Sequence, residues 1–338
     1  MRAWQYHATT GGLEKNLVLE TDLPSPELAP NLADSDVVVQ VLSVGLNPVD
    51  YKLPEMGMVV RLMVPVPATP GLDFCGRIVK IGRTVDALAV GETVFGRIHP
   101  TSKGTLTEFL VTKSAYCVPL PAGLSADDGA AMGTTGCTAY DSIAPNVKPG
   151  DKVFINGGSG GTGTQGIQIA KALGCHVTVS CSTGKMALCK ELGADEVIDY
   201  TKTNVTEKLK EAGQVFTLVI DNVGNSPEDL YQASSDYMLP AGKYVQIGAT
   251  PDLKSLKNVA SRALLPSFLG GGSRRFEVFS TVTTRETLTK LGELMREGKL
   301  KPVIEETFEF EQVPAAFEKL KLGRTTGKII VHVDSAEK

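Results

Sequence analysis

Residues 157–163 read Gly-Gly-Ser-Gly-Gly-Thr-Gly, a run that lays the main chain bare. Glycine costs about 0.5–1 kcal/mol of backbone entropy per position relative to alanine in regular structure, so such a run needs a reason. Two overlapping patterns occur in it, Gly158-x-Gly160-x-x-Gly163 and Gly161-x-Gly163-x-x-Gly166. A short apolar run, residues 151–156, precedes them, and a helical stripe with Ile167, Ile169, Ala170 and Leu173 follows. Between a strand and a helix this pattern is a dinucleotide fingerprint. The first glycine makes the tight turn, the next lets the backbone approach a pyrophosphate, and the last lets helix and strand pack closely. The helix N-terminus adds free N–H groups and a positive dipole end. Gly158, Ser159, Gly160, Gly161, Thr162 and Gly163 are therefore the candidate phosphate-binding residues.

An NAD site places Asp or Glu at the end of the second strand, about 20 residues on, against the ribose 2′-hydroxyl. Here residues 179–185 read Val-Ser-Cys-Ser-Thr-Gly-Lys, with no carboxylate. Ser180, Ser182 and Thr183 offer hydroxyls and Lys185 an ammonium. Those groups suit a 2′-phosphate, with its negative charge and strong acceptors. The expected cofactor is NADP(H).

Around this motif the chain alternates strand and helix. "HVTVSCS", "EVIDY", "FTLVIDNVG" and "KYVQIGA" read as strands, with "KMALCKELG" as a helix between the first two. Such alternation predicts a parallel sheet covered by helices on both faces, an α/β doubly wound arrangement. Residues 1–125 read instead as β-rich, with Val/Ile runs such as "SDVVVQVLSVGLN" and "CGRIVKIG". Prolines 48, 54, 65, 67 and 70 mark loops between those strands. Near the end, "RFEVFSTV" reads as a strand, "RETLTKLGELMREGKL" as an amphipathic helix and "GKIIVHV" as a strand. "LGGGSRR", residues 269–275, reads as a surface loop.

A net charge of −4 advertises no basic surface, so nucleic acid is not an expected partner. No apolar run approaches the roughly 20 residues of a membrane span. The segment "MRAWQYHATTGG" has no secretory h-region, so a cytoplasmic location is expected. The six cysteines form no CxxC pair and read as reduced, structural thiols. With four histidines and no ligand-like spacing, no metal site is expected.

Taken together, "GLNPVDYKL", "PGLDFCGRIVKIG", "GETVFG", "GTTGCTAYDSI", "NGGSGGTGTQGIQIAK", "ELGADEVIDY", "VIDNVG" and "GRTTGKIIVHV" resemble the medium-chain dehydrogenase/reductase superfamily, in its zinc-independent quinone oxidoreductase (zeta-crystallin-like) and enoyl reductase-like branch. The resemblance covers nearly the whole chain. It implies a GroES-like β domain, residues 1–125 and 284–338, and a Rossmann NADP-binding domain, residues 126–283. Zinc-dependent relatives carry a cysteine at the position of Asn47, a histidine at Leu72 and a third ligand at Thr134. By resemblance Asn47 and Lys52 lie near the nicotinamide ribose and Thr134 near the nicotinamide. Ser182, Lys185, Tyr200 and Arg324 lie toward the 2′-phosphate, and Asn222, Val223, Ile247 and Gly248 also line the cofactor. The "NPVDYK" segment resembles enone reductases and trans-acting enoyl reductases of polyketide assembly more than simple quinone reductases.

The implied activity is NADPH-dependent reduction of the C=C bond of an enone, quinone-like or enoyl substrate without zinc. Hydride addition to the β-carbon leaves an enolate, which a few preorganised donors stabilise before the α-carbon is protonated. Asn47, Tyr51 and Lys52 are the candidate catalytic donors, on a proline-containing loop. Two other readings stay open: a trans-acting enoyl reductase on a carrier-bound chain, and a non-catalytic, crystallin-like NADPH-binding protein. The family often pairs "RFEVFS"-type strands across a twofold axis, so a homodimer is expected.

Overall fold

A computed structural model describes residues 1–57, 61–224, 226–248, 262 and 273–333. The chain forms two compact units, residues 1–137 with 282–338, and residues 138–281. The sequence reading divided it at 125 and 283 instead. Part of the "LGGGSRR" segment lies outside the described residues.

In the second unit six strands form one sheet: β8 (Lys152–Asn156), β9 (His176–Cys181), β10 (Glu196–Asp199), β11 (Phe216–Asp221), β12 (Met238–Gln246) and β13 (Arg275–Val278). Every pairing is parallel, in the order β10-β9-β8-β11-β12-β13. Counted from β8 this is the doubly wound order 3-2-1-4-5-6, whose switch point lies between β8 and β11. Alternation along the strands explains the two covered faces. Val153 and Ile155, Leu218 and Ile220, and Val245 pack with helix residues Ile167 and Ala170. Phe154, Val219 and Tyr244 point the other way and pack with Val205, Leu209 and Tyr231. Successive strand residues face opposite sides, so both faces must be apolar.

Apart from one parallel pair, Ile304–Glu309 with Lys328–His332, the first unit is built on antiparallel pairing. Its strands are β1 (Ala3–Tyr6), β2 (Leu17–Glu20), β3 (Asp36–Leu46), β4 (Asp73–Ile81), β5 (Thr93–Arg97), β6 (Phe109–Lys113), β7 (Cys117–Pro119), β14 (Ile304–Glu309) and β15 (Lys328–His332). Long β3 is shared: Asp36–Gln40 pair with β6, and Ser43–Leu46 pair with β15. Its other side pairs with β4, which in turn pairs with β5. The core collects Val37, Val39, Val41, Phe74, Ile78, Phe317 and Val331. The amphipathic helix expected near the end spans Arg285–Arg296 and buries Leu288, Leu291 and Met295.

Residues 48–55, expected as a loop, form helix α1 (Pro48–Glu55). Pro48 occupies the first turn, where a missing N–H costs nothing. Pro54 lies one residue before the helix ends.

Candidate active site

The register of β3 and β15 sets Ile329 opposite Leu46, so Lys328 arrives beside Asn47. Its ammonium donates to Asn47 Oδ1 at 2.5 Å, to the carbonyl of Leu46 at 3.0 Å and to Asp73 Oδ2 at 3.3 Å. Asn47 Nδ2 donates to Asp73 Oδ2 at 2.8 Å and to the carbonyl of Gly45 at 3.1 Å. Asp73 Oδ1 accepts from the backbone N–H of Thr134 at 2.7 Å and from its hydroxyl at 2.6 Å. Arg97, paired with Asp73 across β4 and β5, donates from Nε to Thr134 Oγ1 at 3.0 Å and from Nη1 to Thr283 Oγ1 at 2.8 Å. A Cβ on Gly133 would stand 2.4 Å from Asp73 Oδ1, so only glycine lets the carboxylate reach Thr134.

Four members of this cluster are buried, Lys328 2% exposed, Asp73 0%, Asn47 1% and Arg97 5%, and Thr134 is partly buried. The cluster brings together Asn47 and Thr134, singled out above, with Asp73, Lys328 and Arg97, which were not. Both amide hydrogens of Asn47 are already used, so its side chain faces any ligand chiefly as an acceptor. Leu72 is a core side chain. Among the described residues no group of three or more His, Cys, Asp or Glu side chains could hold a metal ion. The six cysteines are free and buried.

Tyr51 and Lys52 lie on α1 but outside this hydrogen-bonded group. Tyr51 packs against the core, with the Lys321 ammonium 5.1 Å from its ring centre. Burial and then Glu55 raise its phenol above the usual range. Lys321 also bridges Glu14 and Glu55. Lys52 is half-buried, and burial pulls its ammonium down from the usual value. Arg324 is exposed, in the turn before β15.

In the second unit the glycine tract forms the turn from β8 to a helix, Gly161–Ala172. Gly157 has φ 79°, a left-handed turn residue. A Cβ on Gly163 would lie 2.2 Å from the carbonyl oxygen of Gly157, and one on Gly158 would lie 2.8 Å from Val179. A Cβ on Gly160 would meet nothing nearer than 3.9 Å. Packing within the protein thus explains glycine at 158 and 163 but not at 160. An open face at the helix N-cap is what a close-approaching phosphate needs. The chain's residues fit a bound dinucleotide here.

Behind the turn a polar chain crosses neighbouring strand ends. Ser180 Oγ accepts from the N–H of Gly157 at 3.0 Å and donates to Asn156 Oδ1 at 2.6 Å. Asn156 Nδ2 donates to Asp221 Oδ1 at 2.8 Å, and the Tyr244 hydroxyl donates to Asp221 Oδ2 at 2.6 Å. Burial first, then Asp221, raise Tyr244 well above the usual phenol value, so it stays a donor. Asp221 Oδ1 also accepts from the N–H groups of Val223 and Gly224. Asn222, Val223, Ile247 and Gly248 therefore gather at the ends of β11 and β12, and Ile247 and Gly248 both donate to the carbonyl of Asp221. Ser180, expected to offer its hydroxyl to a 2′-phosphate, is instead committed to Asn156 and Gly157.

Ser182, Lys185 and Tyr200 also come together. Asp199 pairs with Cys181, and the N–H of Tyr200 donates to the carbonyl of Cys181 at 3.1 Å. Ser182 precedes a single 3-10 turn, Thr183–Lys185. A carboxylate does stand nearby, which the sequence reading did not anticipate: Asp199, at the end of the third strand. Thr183 and Thr201 donate to its two oxygens and hold it below the usual carboxylate range. The Thr183 hydroxyl is thereby committed to Asp199.

Residues 33–122 match the family model described as alcohol dehydrogenase GroES-like domain, and residues 192–331 the one described as zinc-binding dehydrogenase. The trans-enoyl reductase pgmF of Aspergillus terreus is 44% identical over 347 residues, which cover 99% of this chain and 96% of that protein. This chain belongs to the medium-chain dehydrogenase/reductase family. The 2-methylene-furan-3-one reductase of Solanum lycopersicum is 32% identical, over 98% of this chain and 79% of that protein. The solved structure of the quinone oxidoreductase from Coxiella burnetii matches with a TM-score of 0.83 and 27% identity, over 99% of each chain. Within the medium-chain family the chain falls with quinone oxidoreductases and enoyl reductases, and it is an oxidoreductase. Its two units are the GroES-like domain and Rossmann-like sheet of that family. Two solved structures that share this fold, each 22% identical, are an NAD-dependent alcohol dehydrogenase and an Escherichia coli quinone oxidoreductase complexed with NADPH. Among the described residues no helix is long and apolar enough to cross a membrane.

Proposed function

We propose that this protein uses NADPH to reduce the C=C bond of an α,β-unsaturated carbonyl compound without zinc. The observation that carries this reading is the buried cluster around Asn47 and Thr134. Lys328 donates to Asn47 and Arg97 to Thr134, so fixed positive charge stands beside two of the positions at which zinc-dependent relatives are expected to carry ligands. Fixed charge in a dry site stabilises an enolate as it forms, with no reorganisation at the moment of reaction. When bound, the dinucleotide supplies the hydride. Gly158–Gly163 hold its pyrophosphate, Asn222, Val223, Ile247 and Gly248 line its path, and Lys52 binds the ribose with Asn47.

A screen of NADPH oxidation with small enones, quinones and enoyl thioesters, run with and without a chelator, tests the proposal. Turnover of conjugated C=C substrates that survives chelation is expected; turnover of alcohols alone, lost with a metal, would overturn it. The 44% identity to a trans-enoyl reductase favours a second, narrower reading, that the natural substrate is an enoyl chain held on a carrier. That reading requires carrier-bound enoyl thioesters to outcompete their free counterparts.

For the cofactor, Ser182, Lys185 and Tyr200 form the 2′-phosphate end. Lys185→Ala is expected to cut the preference for NADPH over NADH by about tenfold to a hundredfold, the worth of one charge-assisted contact of roughly 1–3 kcal/mol. Fluorescence titration with both cofactors measures it, and equal affinities in the parent protein would sink the assignment. We place a homodimer contact on edge strand β13, whose Val278 is 47% exposed; light scattering checks it.

A further inference from the structure

The three side chains assigned to the 2′-phosphate end come from two separate turns. Ser182 and Lys185 follow β9, and Tyr200 follows β10. Thr183, Gly184, Tyr200 and Thr201 are exposed, and the Tyr200 ring, 59% exposed, belongs to neither core cluster of the sheet. Something other than core packing must hold the two turns at one spacing.

Asp199 spans the gap. It ends β10 opposite Cys181 and is 8% exposed. Its Oδ2 accepts from the hydroxyl of Thr183, on the first turn. Its Oδ1 accepts from the hydroxyl of Thr201 at 2.6 Å and from the N–H of Thr201 at 3.0 Å, on the second. The two threonine hydroxyl oxygens stand 3.0 Å apart. The main-chain carbonyl of Asp199 accepts from the N–H groups of Lys202 and Thr203 at 3.1 and 2.9 Å, which shapes the second turn. The Lys202 ammonium lies 4.0 Å from Oδ2. Both carboxylate oxygens are thus spent on the protein's own turns and are not offered to a ribose. Hydrogen bonds from Thr183 and then Thr201 keep the carboxyl below the usual range, so at neutral pH it is an acceptor only. A carboxylate repels a phosphate, so its place here needs a reason. It is also the strongest acceptor for two hydroxyls at once.

We propose that Asp199 is a positioning residue for cofactor choice: by tying the turn after β9 to the turn after β10, it sets Ser182, Lys185 and Tyr200 at the spacing a 2′-phosphate requires. This rests on the reading of that end as the 2′-phosphate site. A phosphate bridging two tethered turns has less to order than one bridging two loose ones. NADH, which has no 2′-phosphate, draws little from the tether.

The test is calorimetric titration with NADPH, NADH and adenosine 2′,5′-bisphosphate, the last reporting the phosphate end with no nicotinamide and no turnover. Asp199→Ala should weaken NADPH and the bisphosphate by about tenfold and leave NADH within about twofold of the parent. Asp199→Asn keeps an oxygen for Thr201 and gives the Thr183 oxygen an N–H, so it should hold NADPH near the parental affinity. Thr183→Val, at an exposed residue, cuts the same tether from the other side and should match Asp199→Ala. The two together should do no more than either alone. Tighter NADPH binding in both Asp199 variants would make the carboxylate a repulsive charge only. Equal loss of NADH and NADPH would make it a general support of the sheet end. Either result overturns the proposal. A parent that binds NADPH and NADH alike overturns the 2′-phosphate reading and this inference with it. A parent that prefers NADPH, beside Asp199→Ala and Thr183→Val variants that keep the preference, overturns the role of Asp199 alone.

Discussion

Lys328→Met is expected to lower unfolding free energy by about 3 kcal/mol, and to take turnover with it. Methionine keeps most of the aliphatic stem but removes the ammonium from a place only 2% exposed. Asp73, 0% exposed, then keeps its charge with no cation bonded to it. Breaking a buried ion pair from one side costs about 3–5 kcal/mol, because the remaining charge stays desolvated. Asn47 and Thr134 still donate to Asp73, which places the expected value at the lower end. Asn47 loses the donor to its Oδ1, while its Nδ2 keeps Asp73 and the carbonyl of Gly45 as acceptors. Adding Asp73→Asn should restore stability in part, since it removes the stranded charge, but should not restore turnover. Urea unfolding at neutral pH measures both. A loss under about 1 kcal/mol would show that Lys328 does not balance the cluster.

Alanine at 160 and alanine at 163 should fail in different ways. Gly160→Ala adds a methyl whose nearest neighbour is 3.9 Å away, at a residue with φ −78°, where alanine is unstrained. Its stability should stay within about 0.5 kcal/mol of the parent. Its affinity for NADPH should fall at least tenfold, about 1.4 kcal/mol, because the methyl takes the space of the pyrophosphate. Gly163→Ala puts a methyl 2.2 Å from the carbonyl of Gly157 and 2.7 Å from the carbonyl carbon of Gly158. The turn must open, at about 1–3 kcal/mol or more, before any cofactor is added. Thermal unfolding with and without NADPH separates the two. Parental affinity in Gly160→Ala would mean that the dinucleotide does not cross that residue.

The Rossmann half was legible because its signals are local. Val153, Phe154 and Ile155 alternate between two apolar faces, and glycine spacing marks the turn that follows. The cluster of the other half was not, because it is written in register. Lys328 meets Asp73 across 255 positions and Leu46 across 282. Nothing near a lysine at the start of a strand says which strand it will face. Asp50 was missed for a different reason. Asn47-Pro48-x-Asp50 is a helix start, with proline in the first turn and a carboxylate returning to the cap N–H, yet the same prolines also suit a loop. Read as a loop, the segment exposes Tyr51 and Lys52. Read as a helix, it buries Asp50.

The hydrogen-bonded line from Ser180 through Asn156 and Asp221 to Tyr244 ties the four central strands of the sheet toward their C-terminal ends. It also fixes the amides of Gly157, after β8, and of Val223 and Gly224, after β11. None of those amides can reach solvent by a private fluctuation, because releasing one leaves buried partners unanswered along the line. Their hydrogen exchange should therefore report a single shared opening, with like protection at residues distant in sequence. The dinucleotide site is in that sense one cooperative piece of the protein, and a lesion at Asn156 should loosen the loops after β8 and after β11 at once.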